Sequence, residues 1–211
     1  PARLVGRLRP AVLVFRPAGL RSCWVEGRAA AYSESEDEMD PIKTRRLLIR
    51  PFAESDLDAA TSLLDECFGT APREKRRDWL EWSVRNYRAL AELQQPPYGD
   101  YAVVNGQTNE LIGSVGLVPS FAPFGQLPMF SVSVPKGIRN RYVPEMGLFW
   151  ATAVAHRSNG YAAEAAGAIA AFAFDTLRVA RLVATTEHDN ASSIAVMRRI
   201  GMIIETNPEP A

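Results

Sequence analysis

The chain has 211 residues and a mass of 23.2 kDa, enough for one ordinary domain built around one core. It contains 24 Lys and Arg residues against 24 Asp and Glu residues, so no basic surplus argues for a nucleic acid or an anionic membrane as partner. A hydrophobic content of 47% with 23% charged residues is typical of a soluble globular protein and excludes a disordered chain.

The two cysteines and two histidines are too few for a typical Cys/His zinc site or a disulfide framework, although they leave room for one bridge. We therefore expect no metal site, and a reducing compartment makes the cytoplasm the predicted location. The apolar stretch at residues 10–15 is far too short to span a membrane, which takes about 20 apolar residues. No membrane partner is expected.

The start of the chain has an uneven charge pattern. Residues 1–30 hold six arginines and one acid, and residues 33–40 hold five acids and no base. An Arg-rich, acid-poor segment is typical either of an organelle transit peptide or of a disordered or non-native extension, and we favour the extension. Met39 would also make a natural protein start. We predict a leader over residues 1–41 and one domain over residues 42–211.

In chain order, the first half of this domain changes from strand to helix and back. A short apolar run at 46–52 predicts a strand, and the capping residues at 54–56 introduce an amphipathic helix. Pro72 begins a second helix, which we expect to reach residue 93 before Pro96 and Pro97. Two apolar runs around a turn rich in Asn and Gly then predict a hairpin, with strands at 101–104 and 111–118.

In the second half of the domain, strands and helices alternate again, and the sequence has no internal repeat. Residues 121–125 read as a loop and residues 130–134 as a weakly alternating strand. Further strands are predicted at 146–154, 181–186 and 202–205, and helices at 161–177 and 190–199. This order describes a mixed α/β sheet with helices on its faces.

The most informative stretch is Arg157-Ser158-Asn159-Gly160-Tyr161-Ala162, between a predicted strand and a predicted helix. The start of a helix leaves backbone N–H groups unpaired and carries the positive end of the helix dipole, so such a turn suits a phosphate or pyrophosphate. Gly160 allows close backbone approach, and Arg157 adds a positive charge. Alone, the same pattern also describes a plain strand-to-helix turn.

Two ordered motifs make the pattern specific. Arg157-x-x-Gly160-x-Ala162 continues into Gly160 to Ala165, and Asn190-x-x-Ser193 is followed by Arg199-Ile200-Gly201-Met202. Together with the opening Thr44 to Pro51, these residues resemble the GNAT superfamily of N-acetyltransferases, closest to the Rim-type ribosomal-protein N-acetyltransferases. The resemblance covers residues 42–205.

The resemblance implies a mixed, mostly antiparallel GNAT-like sheet with helices on both faces, and acetyl-CoA as cosubstrate without a metal. It also implies a set of residues that contact acetyl-CoA, in which backbone N–H groups near Thr152 polarise the thioester carbonyl. Asn190 would be either a cofactor contact or the N-cap of its helix. The full set is Thr152, Arg157, Ser158, Asn159, Gly160, Tyr161, Ala162, Asn190 and Ser193.

The implied reaction is direct attack of a primary amine on the thioester, which requires a base, an oxyanion donor and an acid for the thiolate. Glu145 matches the glutamate at the start of a family strand and is the candidate base, the alternative being a solvated carboxylate at a strand end. The acceptor is either a small-molecule amine or a protein N-terminus. The competing hypothesis is a noncatalytic acyl-CoA-binding regulatory domain.

Several positions depart from the family pattern. Met197 stands where many relatives have a tyrosine acid, Ser158 stands where glycine is frequent, and Met202 replaces a phenylalanine. The sequence also ends without the final strand that normally shapes the acceptor side. If another subunit supplied that strand, the protein would be a homodimer; a truncated chain is the other explanation.

Overall fold

The computed structural model describes the backbone of Ala11–Phe15 and residues 40–131 and 135–206 in full. Eight strands and five α-helices lie in these ranges, joined by short 3-10 turns. The strands are β1 (Ala11–Phe15), β2 (Ile42–Lys43), β3 (Leu47–Pro51), β4 (Gly99–Asn105), β5 (Leu111–Ala122), β6 (Val143–Thr152), β7 (Leu182–Thr186) and β8 (Ile203–Thr206). The helices are α1 (Leu57–Phe68), α2 (Arg73–Glu92), α3 (Pro128–Ser131), α4 (Tyr161–Asp175) and α5 (Ala191–Arg199).

The described strands hydrogen-bond in the order β2-β3-β4-β5-β6-β7-β1-β8. Strand β6 pairs with β7 in parallel, whereas β3 is antiparallel to both of its neighbours and β1 is antiparallel to both of its own. The predicted mixed, mostly antiparallel α/β sheet is therefore confirmed. The predicted helices after residues 56, 72, 160 and 190 are found within two residues of their expected ends.

The chain forms two compact units, and β5, β6 and α4 run through both. The first, which we call the turn unit, consists of the described residues of Pro17–Gly116 and Trp150–Ile169. Its helices bury apolar side chains at helical spacing, and Leu80 of α2 packs in one cluster with Phe52, Ala102 and Val104. The Tyr87 hydroxyl accepts a hydrogen bond from the Phe52 N–H at 3.1 Å, which ties α2 to the end of β3.

The second unit, which we call the edge unit, consists of the described residues of Pro1–Arg16, Leu117–Phe149 and Ala170–Ala211. Its core packs Phe124, Leu127 and Phe130 against Val183 of β7. The rings of Phe124 and Phe130 stack with their centroids 5.7 Å apart. This segment corrects two expectations, because β5 continues to Ala122 through the predicted loop and Phe130 lies in α3 instead of a strand. Residues 132–134 lie outside the described residues.

The leader requires a correction as well. Within the predicted disordered segment, Ala11–Phe15 form β1, which lies between β7 and β8 and pairs with both. Its register sets Ala11 against Thr186 on one side and against Thr206 on the other. Strand β8 is the edge strand of the sheet, and β1 is its partner. The position beside β7 is therefore filled from the leader; residues 1–10 and 16–39 lie outside the described residues.

Candidate active site

The predicted phosphate turn lies in the turn unit, between the end of β6 and the start of α4. Ser158 has a φ of 63° and Gly160 a φ of 77°, so both residues are left-handed. Asn159 between them does not have a positive φ. Such an alternation curls the backbone so that successive N–H groups converge, which is the form of an anion-binding nest. The Glu164 N–H donates to the Gly160 carbonyl at 3.1 Å, so α4 begins directly after the turn. The turn and the open N–H groups of the first helical turn are thus brought together.

The conformation of Ser158 explains why glycine is frequent at this position in relatives. A left-handed backbone costs a residue with a Cβ roughly 1 to 2 kcal/mol, and glycine avoids that cost. Asn159 offsets part of it, because its Nδ2 donates to the carbonyls of Arg157 at 3.1 Å and His156 at 3.3 Å. The turn is therefore held in a strained shape by its own side chains.

Arg157 and Thr152, both predicted cofactor residues, are in direct contact. The Arg157 Nε donates to the Thr152 carbonyl at 3.1 Å, and its Nη2 lies 3.8 Å from the Cys67 sulfur. Cys67 is a free thiol at the end of α1 and also approaches the Thr152 carbonyl, at 3.6 Å. The guanidinium thus joins the end of β6 to the turn that follows it.

An ion pair that the sequence analysis missed supports the same turn. Glu164, in the first turn of α4, accepts hydrogen bonds from the Thr44 hydroxyl at 2.6 Å, the Arg46 N–H at 2.9 Å and the Arg46 Nε at 2.7 Å. Burial raises the pKa of this carboxyl, but the hydrogen bonds from Thr44 and Arg46 outweigh burial, and the net pKa lies below its usual range. Glu164 is therefore held ionised.

A narrow cleft opens beside the turn, between the end of β6 and the start of α4. Trp150 and Thr152 of β6 line it together with Tyr161, Ala162 and the buried Ser114 of β5. The aromatic residues that line this cleft are Trp150 and Tyr161. Tyr87 is buried and Trp82 is exposed on α2.

Glu145, the candidate base, lies in the edge unit, where its carboxylate forms an ion pair with the guanidinium of Arg181. Its carboxylate accepts from the Arg181 Nε at 2.7 Å and also from the Arg181 Nη2, a two-point ion pair. The Glu145 side chain is 6% exposed, so it is not the solvated carboxylate that we considered as the alternative. The Arg181 guanidinium also lies over the Phe130 ring, 4.5 Å from its centroid. Both carboxylate oxygens of Glu145 are thus engaged by Arg181.

Asn190 and Ser193 also lie in the edge unit, at the start of α5. The Asn190 Oδ1 accepts the Ser193 N–H at 3.0 Å, so Asn190 is the N-cap of α5, one of the two roles we expected. Its side chain is exposed. A contact of Asn190 or Ser193 with a cofactor stays a prediction.

The two histidines lie in different surroundings. His156 Nε2 lies 3.1 Å from Glu110 Oε1, and His188 is exposed. No set of three or more His, Cys, Asp or Glu side chains that could hold a metal ion occurs in residues 40–131 or 135–206. In the same ranges, none of the helices has the length and apolar character needed to cross a membrane.

The family model for the acetyltransferase (GNAT) domain matches residues 46–203 of the chain. The chain belongs to the GNAT family. The match includes β3, the predicted phosphate turn, α4 and α5, so it contains both sequence motifs in full and the opening segment from Arg46 onward. The resemblance stated from the motifs is confirmed, and this GNAT chain carries an acetyltransferase domain.

Known proteins similar to this GNAT chain include acetyltransferases of solved structure. The acetyltransferase from Agrobacterium tumefaciens str. C58 is 26% identical, with 83% of this chain and 88% of that chain covered and a TM-score of 0.56. RimL, a ribosomal L7/L12 alpha-N-protein acetyltransferase in complex with coenzyme A, has a TM-score of 0.55 at 16% identity, with 77% and 83% covered, and so shares the fold. The uncharacterized protein YkkB of Bacillus subtilis (strain 168) is 28% identical over 64% of each chain, so this GNAT chain spans 64% of that relative's length.

The family departures now have positions in the GNAT fold. Met197, which stands at the position of the tyrosine acid, is 1% exposed and part of the core. Met202 is buried as well. Arg46 and Glu164 each lie in a motif that carries the resemblance, but no spacing in the sequence pairs them.

Proposed function

We propose that this GNAT chain is an acetyl-CoA-dependent N-acetyltransferase that transfers the acetyl group to a primary amine. The observation that carries the proposal is the turn at residues 157–160, with its two left-handed residues leading into the start of α4. That geometry suits a pyrophosphate, which acetyl-CoA carries and a free amine substrate does not.

The residues that would hold acetyl-CoA are those of the turn unit. The N–H groups of Ser158, Asn159, Gly160, Tyr161 and Ala162 would bind the pyrophosphate, and Arg157 would add charge. The backbone of Thr152, at the end of the cleft, is the proposed site of contact with the thioester arm. Asn190 and Ser193 are proposed as further contacts from α5.

The proposed reaction is a direct transfer. The neutral amine nitrogen attacks the thioester carbonyl carbon, the C–N bond forms, and the C–S bond breaks as the thiolate leaves. One proton goes from the attacking nitrogen to a base, and one proton reaches the thiolate sulfur. Because Met197 carries no acidic hydrogen and is buried, we propose water as the source of the second proton.

A protein N-terminus is the acceptor that we favour over a small-molecule amine. Support comes from RimL, a ribosomal L7/L12 alpha-N-protein acetyltransferase, whose likeness to this chain is one of fold. We place the reaction in the cytoplasm, where such acceptors are made. We also propose a homodimer. Light scattering of the purified protein tests it by measuring the molar mass in solution.

A noncatalytic acyl-CoA-binding domain is the second candidate. Two observations favour it: Glu145 is engaged by Arg181, and the position of the tyrosine acid is filled by the buried Met197. Both candidates require acetyl-CoA binding, so turnover separates them.

The deciding experiment combines binding and turnover on the full chain. Calorimetry with acetyl-CoA should give a saturable isotherm, and a panel of amines and N-terminal peptides should release free thiol from acetyl-CoA with at least one acceptor. Binding without thiol release over the whole panel would favour the regulatory domain. Absence of binding would refute both candidates.

The substitution Glu145→Gln tests the base. If Glu145 takes the proton, kcat should fall by about 10² to 10⁴-fold while acetyl-CoA affinity is unchanged. If Glu145 only anchors Arg181, the melting temperature should fall and kcat should stay within about threefold of the parent. Arg181→Met is the matched control, because it breaks the same ion pair and leaves the carboxylate in place.

A further inference from the structure

The start of α4 combines an anion-binding turn with a carboxylate that ought to oppose it. Glu164 lies in the first helical turn, only four residues beyond Gly160, and is held ionised. A negative side chain at this position competes with a bound phosphate for the positive end of the helix dipole. A site for pyrophosphate therefore needs this charge to be neutralised.

Arg46 provides that neutralisation, and it also contacts the turn itself. Its Nε pairs with the Glu164 Oε2 at 2.7 Å, and the two side chains are 32% and 17% exposed. Its Nη1 donates to the Asn159 carbonyl at 3.0 Å, in the middle of the turn. Its guanidinium carbon lies 4.5 Å from the centroid of the Tyr161 ring, on the first residue of α4. One guanidinium thus touches three successive parts of the turn and helix start.

These contacts set the direction in which the turn presents its groups. The Asn159 carbonyl oxygen is engaged by the Arg46 guanidinium, whereas a free carbonyl oxygen in the turn would repel a phosphate. Glu164 in turn fixes Arg46, because its carboxylate accepts from both the N–H and the Nε of that residue. Thr44 closes the arrangement through its hydroxyl.

We propose that Arg46 is a positioning residue for the phosphate turn, orienting Asn159 and Tyr161 and cancelling the charge of Glu164 so that the turn can accept the pyrophosphate of coenzyme A. The proposal rests on the proposed function. Arg46 and Glu164 both stabilise the fold, but only loss of the Arg46 side chain leaves Glu164 without its counter-charge and the Asn159 carbonyl without its guanidinium donor.

The test compares two variants that break the same ion pair, with coenzyme A as the probe in calorimetry on the full chain. Arg46→Met should weaken coenzyme A binding by about ten- to a hundredfold, the worth of one charge-assisted contact. Glu164→Gln should change the affinity by less than about threefold, since the amide oxygen of the glutamine still accepts from Arg46, which keeps its contacts with Asn159 and Tyr161. Both variants should lower the melting temperature by similar amounts.

Two further variants complete the design. The double variant Arg46→Met with Glu164→Gln also removes the negative charge of Glu164. It should bind coenzyme A at least about threefold more tightly than Arg46→Met alone. Arg50→Met is the matched control, because Arg50 pairs with Asp56 at 2.7 and 2.9 Å and lies away from the turn. It should lower the melting temperature without changing the affinity.

The outcomes are distinguishable. Equal loss of coenzyme A affinity in Arg46→Met and Glu164→Gln, or a double variant no better than Arg46→Met, would overturn the role of Arg46 while leaving the proposed function standing. A parent protein that does not bind coenzyme A would overturn both.

Discussion

Gly160→Val should abolish acetyl-CoA binding, with an affinity loss greater than about a hundredfold. Gly160 has φ of 77°, a conformation that a β-branched residue rarely adopts, and it lies at the junction of the turn with α4. A side chain here would both strain the turn and stand where a pyrophosphate must approach the backbone. Calorimetry on variants whose circular dichroism matches the parent measures the effect.

The control must carry the same backbone strain at a different place. Gly69 has φ of 86°, and a Cβ there would meet no atom within 4 Å. Gly69→Val should therefore lose a comparable amount of stability and keep the parent affinity. If folded Gly160→Val binds acetyl-CoA as the parent does, the turn does not hold the cofactor and the proposed function loses its main support.

Removal of residues 1–38 should lower the melting temperature by about 5 to 10 °C, corresponding to about 2 to 3 kcal/mol for a protein of this size. The deletion removes β1, which pairs along five residues with β7 and along four with β8. Strand β8 would lose its partner in the sheet, and the backbone groups of β7 and β8 that pair with β1 would bond to water instead. Differential scanning calorimetry of a chain beginning at Met39 measures the loss.

A single substitution separates the strand from the rest of the leader. Leu13→Pro removes a backbone N–H from the middle of β1 and should reproduce most of the loss, because proline is not tolerated inside a central strand. Leu13→Val, which keeps that backbone N–H and a side chain common in strands, is the matched control and should leave the melting temperature nearly unchanged. An unchanged melting temperature in both Leu13→Pro and the deletion would show that β1 contributes nothing to stability, which is what the charge pattern of the leader alone suggested.

Local patterns predicted the helices and the order of strands well, because helical spacing, caps and glycine-rich turns are signals within a few residues. Pro72 begins α2 as expected, and Asn190 caps α5 through the Ser193 N–H. The turn between β6 and α4 was also found where the sequence placed it, with Ser158 and Gly160 in left-handed conformations, and its binding of a phosphate stays a prediction.

Contacts between distant parts of the chain were not predictable in this way. The Arg181 partner of Glu145 and the Arg46 partner of Glu164 come from other elements, so no spacing in the sequence reports them. Strand β1 was not predicted from the sequence for the same reason. Its charge-biased surroundings suggested disorder, and only pairing with two strands near the other end of the chain reveals its place.

The position of β1 also bears on how the molecule is made. A ribosome produces Ala11 long before its two partners, Thr186 and Thr206. The apolar stretch Ala-Val-Leu-Val-Phe therefore has no strand to pair with until those residues have been made, and such a segment without charge favours self-association. Closing so long a loop is slow, so completion of this edge should set the folding rate and give chaperones that bind exposed strands their main opportunity to act.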